Sequence, residues 1–175
     1  LQQPHDSTKP SPARGGPALA WLRAQGVDTG AHGEPEVLVA CEHSGAISAA
    51  LRRHGISAVS ADLRPSRDRS GLHYTGDVRP MLQLKRWRYV IGSPPCTHTH
   101  RNGSQFSETP SAQQWAELEF ILEVLCANTD HALVEQPESL FDIYRPPNFS
   151  VQPAEGLGDR EIPSSMWTTP GTPHI

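Results

Sequence analysis

Short, continuously apolar runs that alternate with helical stretches leave this chain few folds to choose from. Glu36-Val37-Leu38-Val39-Ala40-Cys41 shows no polar–apolar alternation, the pattern of a strand covered on both faces. Ser44-Gly45 then opens a predicted helix over 46–54, with Ile47, Ala50 and Leu51 as its apolar side and a stop at Gly55. A second strand is predicted over 56–62, ending on Asp62, and a third extended piece over 71–78, closing on Gly76-Asp77-Val78. A brief helix over 80–84 leads into a fourth strand, 88–92. The spacing of Trp115, Leu118, Ile121, Leu122 and Leu125 predicts the most regular helix, 111–128, capped by Ser111. Strand five follows at 131–135 and a late strand at 165–168. Strand–helix–strand units in series call for parallel pairing through right-handed crossovers. The expected class is α/β: a mostly parallel, Rossmann-like sheet with helices on both faces.

The chain has 175 residues, the size of one domain. Residues 1–35 are rich in proline and glycine around a short apolar patch, Ala18 to Leu22, and read as a flexible leader with one helical turn. Residues 36–175 form the catalytic domain in this reading, enough for one compact core but not for a second, target-recognition domain. A net charge of −4 and a pI near 6.1 exclude a sequence-wide basic footprint for nucleic acid. Two local basic clusters stand out, Arg64, Arg67 and Arg69, then Lys85, Arg86 and Arg88, and solvated surface is the simplest reading of both. Cys41 and Cys126 lie in apolar runs as buried free thiols do, which points to a reducing compartment. No run has membrane length and Leu1 begins no signal-peptide pattern. The expected location is cytoplasmic, the host cell's cytoplasm if the chain is phage-encoded, and no membrane partner is expected.

In an open parallel sheet the ligand sits at the carboxyl ends of the strands. The predicted strands place there Cys41 to Gly45, Asp62, Asp77, Gly92 to Cys96, and Glu135. Val90-Ile91-Gly92-Ser93 stops at Pro94-Pro95, two residues of fixed φ that lack an N–H and cannot extend a ladder. Cys96 is thereby offered to a ligand, although the segment taken alone suits a buried or incidental cysteine better. A thiolate attacking an electron-poor ring carbon needs an acid to stabilise the charge that develops on the ring, and Glu135, at the end of the neighbouring strand, suits that role. Asp62 suits the hydroxyls of a ribose and Asp77 an adenine amino group; both also suit turn or cap positions. The turn Cys41-Glu42-His43-Ser44-Gly45 lacks G-x-G-x-x-G, and Glu42 repels a pyrophosphate. A cationic, phosphate-free cofactor such as S-adenosylmethionine tolerates it better. If extended, Cys96, His98 and His100 share one side, but no second cluster completes a four-ligand zinc site, so no metal is expected.

In their order, Val37-Leu38-Val39-Ala40-Cys41-Glu42-His43-Ser44-Gly45, Asp62, Gly76-Asp77-Val78, Ser93-Pro94-Pro95-Cys96-Thr97 and Val134-Glu135-Gln136-Pro137 resemble the DNA cytosine-C5 methyltransferases. The nearer resemblance is to small phage- and prophage-borne proteins described as DNA cytosine methyltransferases, and it runs from about Glu36 to Pro173. It implies a class I methyltransferase fold, minimal and without a target-recognition domain, with S-adenosylmethionine as methyl donor. It implies methylation of cytosine C5 in DNA through a covalent Cys96 adduct, with Glu135 holding N3 of a base that is single-stranded or flipped from the duplex. Carried over by position, Cys41, Glu42, His43, Ser44, Gly45, Asp62, Asp77, Ser93 and Pro94 border the cofactor. Pro95, Thr97, Gln136, Pro137 and Arg160 border the substrate. Thr97 stands where the large enzymes have Gln, Gln136 where they have Asn, and their glycine-rich loop is reduced to Gly45. Methyl transfer to a free pyrimidine nucleotide, a degenerate nucleotide-binding module, and a protein partner that supplies target recognition are the alternatives.

Overall fold

The computed structural model describes residues 16–99, 111–137, 150–153 and 164–168, with Pro137 and the last two stretches given by backbone alone. Seven strands form one sheet: β1 (Val37–Ala40), β2 (Ala58–Asp62), β3 (His73–Thr75), β4 (Trp87–Gly92), β5 (Thr129–Pro137), β6 (Ser150–Pro153) and β7 (Ser164–Thr168). Their order is β3-β2-β1-β4-β5-β7-β6. The first five pair in parallel, and β7 runs antiparallel to both β5 and β6. This is the Rossmann-like class I methyltransferase fold. The chain winds from β1 through β2 to β3, then returns to lay β4 on the other side of β1. That reversal opens a crevice at the carboxyl ends of β1 and β4, where such sheets take their ligands.

Strand alternation sorts the core into two layers. Leu38, Ala40, Val59, Ala61, Val90, Ala132 and Val134 face one side, under the helices α1 (Pro17–Ala24), α3 (Arg79–Gln83) and α4 (Ala112–Leu125). Val37, Val39 and Ala58 face the other, with Leu51 of α2 (Ala46–Arg53) packed on them. Because both faces are covered, all four β1 residues are buried, which is why that run carries no alternation. Trp87 is fully buried, and its indole N–H donates to the Met81 carbonyl at 2.8 Å.

Several expectations need correction. The leader assigned to 1–35 does not hold from Gly16 onward. Pro17–Ala24 is a full helix; Leu22 and Val27 are buried in the main core; and the Asp28 amide donates to the Gly71 carbonyl. Proline and glycine here act as punctuation, Pro17 starting α1 and Gly26 (φ 81°) turning the chain after it. Leu22→Ala is therefore expected to lower unfolding free energy by at least about 2 kcal/mol, read as a shift in the urea midpoint. On α4, Trp115 is exposed, and the buried seam is Gln114, Leu118, Ile121, Val124 and Leu125. The Ser111 cap is present as a full capping box with Gln114. Cys126, expected to be buried, is exposed after the last turn of α4. Strand β3 is shorter than 71–78. Strand β6 lay hidden because it carries Pro153, which an outermost strand tolerates. No described helix is long and apolar enough to cross a membrane.

Candidate active site

The end of β1 turns abruptly. Cys41 takes the left-handed conformation (φ 60°), a strained choice for a residue with a Cβ, costing of order 1–2 kcal/mol. Glu42 follows, 5% exposed, and its carboxylate accepts the backbone N–H groups of Ile47 and Ser48 at the start of α2. The positive end of α2, the place where a nucleotide phosphate binds in many Rossmann sheets, is thus filled by the chain's own acid. Gly45 (φ 72°) is the one conformation-dependent glycine of this turn, and a Cβ there would collide with Asp68 and come within 2.8 Å of Ser66 Oγ. His43 holds the same neighbouring loop through a 2.8 Å contact from Nδ1 to the Pro65 carbonyl. Ser44 is exposed, and its Oγ accepts the Ala46 amide at 3.2 Å.

Beside this turn lies a cavity of about 550 Å³, within the range of small-molecule sites. Of the residues expected around a cofactor, Cys41, Asp62, Asp77 and Ser93 line it, and Pro95 joins them from the expected substrate group. Glu42, His43, Ser44, Gly45 and Pro94 do not. Leu63, Arg64, Gly76, Val78, Arg79 and Phe120 also line the cavity and were not anticipated. A signal for them exists in the sequence: Asp62-Leu63-Arg64 and Asp77-Val78-Arg79 repeat one Asp-aliphatic-Arg pattern after successive strands. In both, Asp Oδ1 accepts the arginine's backbone N–H, at 2.9 and 3.0 Å, so the aliphatic residue between them turns into the cavity. Asp77 is held below the usual carboxylate range, first by that N–H and then by the Arg79 guanidinium, against its partial burial. Arg79 also pairs with Glu123 at 2.5 Å and lies 4.8 Å over the Phe120 ring. Burial, followed by the charges of Asp62 and Asp77, pushes the Cys41 thiol up to about 12. That environment disfavours the Cys41 thiolate.

The Pro-Pro-Cys segment leaves β4 and crosses this edge. Pro94 is buried, and its carbonyl accepts Gln136 Nε2 at 2.8 Å. Gln136 is 1% exposed, and its Oε1 has no hydrogen-bond partner. It acts on the loop from behind; in this structure it is not presented to a ligand as the expected substrate role required. Cys96 is half-buried. Its thiol is raised above the ordinary 9.0, first by burial and then by the charges of Glu117 and Glu135. Glu135 is exposed at the end of β5, on the strand paired with β4, so the two expected catalytic side chains share one electrostatic neighbourhood. Thr97 is exposed. Pro137 closes β5 opposite Ser164, and Arg160 and His100 lie outside the described residues.

Glu117 of α4 was missed by sequence reasoning. Its carboxylate accepts the backbone N–H groups of His98 and Thr99 at 2.9 and 3.0 Å and the Thr99 hydroxyl at 3.3 Å. Its other oxygen meets His98 Nδ1 at 2.8 Å. Gln114 adds a bond from Nε2 to the His98 carbonyl at 3.2 Å. One turn of helix thereby fixes His98 and Thr99, the second and third residues after Cys96. Among the described residues no group of three His, Cys, Asp or Glu side chains is arranged to hold a metal. His98 is engaged with Glu117.

No protein-family model matches this chain, and no curated protein does. Similar solved structures include the bifunctional kinase-methyltransferase WbdD, 13% identical over 85% of this chain and 38% of its own, at a TM-score of 0.47. An rRNA methylase from Escherichia coli is 14% identical, covering 88% of this chain and 65% of its own, at 0.47. A DNMT2 variant from Spodoptera frugiperda is 17% identical, covering 78% and 49%, at 0.41. The chain spans less than two thirds of each of them. The likeness is one of fold.

Proposed function

We propose that this chain is an S-adenosylmethionine-dependent methyltransferase that acts on C5 of cytosine in DNA. One observation carries the reading. Ser93 and Pro95 line the same cavity as Asp62 and Asp77, so the loop bearing Cys96 forms the wall between a cofactor-sized site and the open edge of the sheet.

The residues present fit this donor. Glu42 on the α2 N-terminus leaves no seat for a phosphate, which disfavours dinucleotides and costs a phosphate-free sulfonium nothing. Asp62 would hold the ribose hydroxyls and Asp77 the adenine amino group, with Leu63, Val78 and Phe120 supplying apolar wall. The bound donor supplies the methyl group. The chain's own residues do the rest. Cys96, deprotonated, bonds its sulfur to C6 of the base. Glu135, in its protonated form, stabilises the electron density that this addition pushes onto the ring by donating a hydrogen bond to N3. C5 accepts the methyl group, loses its proton to solvent or a nearby base, and the S–C6 bond breaks to restore the aromatic ring and the free thiolate.

Calorimetry with S-adenosylmethionine and transfer of its labelled methyl group to cytosine-containing DNA test the reading together. Binding in the micromolar range is expected, weakened roughly tenfold or more in Asp62→Ala, since hydrogen bonds to a charged group contribute about 1.5–3 kcal/mol. Absence of donor binding would turn the reading toward a degenerate module, which the self-occupied Gly45 turn favours. Transfer to deoxycytidine monophosphate but not to DNA would turn it toward a nucleotide enzyme.

A further inference from the structure

The two basic clusters read from the sequence have different fates in the structure. In the second, every cation is neutralised by a carboxylate: Lys85 by Glu34 at 2.7 Å, Arg86 by Asp130 at 2.6 Å and Arg88 by Glu36 at 3.1 Å. In the first, Arg64 leans on Asp62 at 3.5 Å and remains 70% exposed. Arg67 and Arg69 are exposed, and among the described residues their guanidinium groups have no carboxylate partner. The one acid between them, Asp68, is paired with Arg52.

This first cluster sits on the loop that leaves the carboxyl end of β2, where Leu63 and Arg64 line the cavity beside the Cys96 loop, and crosses back to the start of β3. The loop is fixed. The Arg67 amide donates to the His43 carbonyl at 3.0 Å, the Asp68 amide to Ser66 Oγ at 3.0 Å, and Ser70 Oγ to Asp68 at 2.8 Å. Unpaired, desolvation-free cations on a braced loop lose little freedom when an anion arrives. Strand β2 lies two positions from β4, across β1, a span of about 10 Å.

We propose that the β2–β3 loop, through Arg67 and Arg69, is a rest for the phosphate backbone of a DNA strand whose base is presented at Cys96. The inference extends the proposed function and gives a chain of net charge −4 a local grip on its substrate. It concerns binding only, so it is tested without methyl donor, on the full chain and again on its Cys96→Ala form. A fluorescent cytosine-containing single strand is titrated by anisotropy between 50 and 200 mM salt, a range over which phosphate contacts register strongly. The variants are Arg67→Ala/Arg69→Ala and, with the same change in net charge, Arg86→Ala/Arg88→Ala. The first pair is expected to weaken binding roughly tenfold at low salt and to reduce the slope of log K against log salt by about 1.4. The second pair is expected to leave the slope in place. Equal slopes in all forms overturn the proposal, and so does an equal loss in both pairs, which reports net charge alone. Deoxycytidine monophosphate is the remaining arm: a matching loss of its affinity in Arg67→Ala/Arg69→Ala means that the loop holds one terminal phosphate, and the backbone rest falls. Should methyl transfer fail while the slope changes as expected, the function is wrong and the rest stands; transfer with an unchanged slope means the reverse.

Discussion

Cys96→Ala is expected to reduce methyl transfer to DNA by at least roughly a thousandfold, the scale of losing a covalent nucleophile, while donor affinity stays within about twofold. The asymmetry follows from where the residue sits. Cys96 is absent from the cavity lining that Ser93 and Pro95 share with Asp62 and Asp77, so its removal leaves the donor's walls intact. A sharper form of the test uses a strand carrying 5-fluorocytosine. Fluorine at C5 cannot leave as a proton, so the sequence stalls with the S–C6 bond formed. The full chain should then gain the mass of the strand in the presence of donor, and Cys96→Ala should not. Cys41 provides an internal control, because its thiol is pushed up to about 12 and is expected to form no adduct at neutral pH. Transfer that survives in Cys96→Ala, or an adduct mapped to Cys41, sinks the covalent mechanism.

The parallel half of the sheet was legible because β1, β2 and β4 are short apolar runs that end in turn chemistry, and their order admits one winding. Strand counting placed Asp62 and Asp77 at this edge, and both line the cavity, Asp62 as the last residue of β2 and Asp77 two residues after β3; Cys96 follows β4 by four residues, outside that lining. What could not be read depends on partners distant in sequence. Glu117 follows Thr99 by 18 residues, and nothing in a helix of that composition marks it as the acceptor of the His98 and Thr99 amides. Gln136 looked like a ligand contact because it follows Glu135. Strand alternation sends it to the buried face, where it meets the Pro94 carbonyl. Glu42 shows the reverse case. Its charge argued against phosphate from the sequence, and only the fold shows that the same carboxylate occupies the α2 N-terminus. The β3 boundary failed for a simpler reason: a strand of three residues falls below the length at which alternation carries information.

Glu117 leads to the second large effect, in which two readouts move in opposite directions. Glu117→Ala removes the acceptor of two amides and the Thr99 hydroxyl together with the His98 contact, and freeing the loop by about 1 Å is expected to lower kcat roughly a hundredfold. KM for the donor should hold, because Glu117 does not line the cavity. The charge of Glu117 also keeps Cys96 protonated, second only to burial and ahead of Glu135. Glu117→Gln retains the shape and an acceptor oxygen while losing that charge, so the Cys96 thiol becomes more acidic. Alkylation by iodoacetamide, followed at the Cys96 peptide, should reach half its maximal rate at a lower pH than in the unaltered chain, where burial and then the charges of Glu117 and Glu135 push the thiol up. The sign is fixed: an anion nearby disfavours the thiolate, and removing it favours the thiolate at every pH below the old midpoint. Glu135→Gln should move the same midpoint in the same direction by a smaller amount, without the loop's loosening. A residue that only braced the loop would slow transfer and leave the midpoint of Glu117→Gln where it was; that result would reduce Glu117 to a structural tie. A faster-reacting thiol on a slower enzyme is the signature of a carboxylate that positions the nucleophile and holds its proton until substrate arrives.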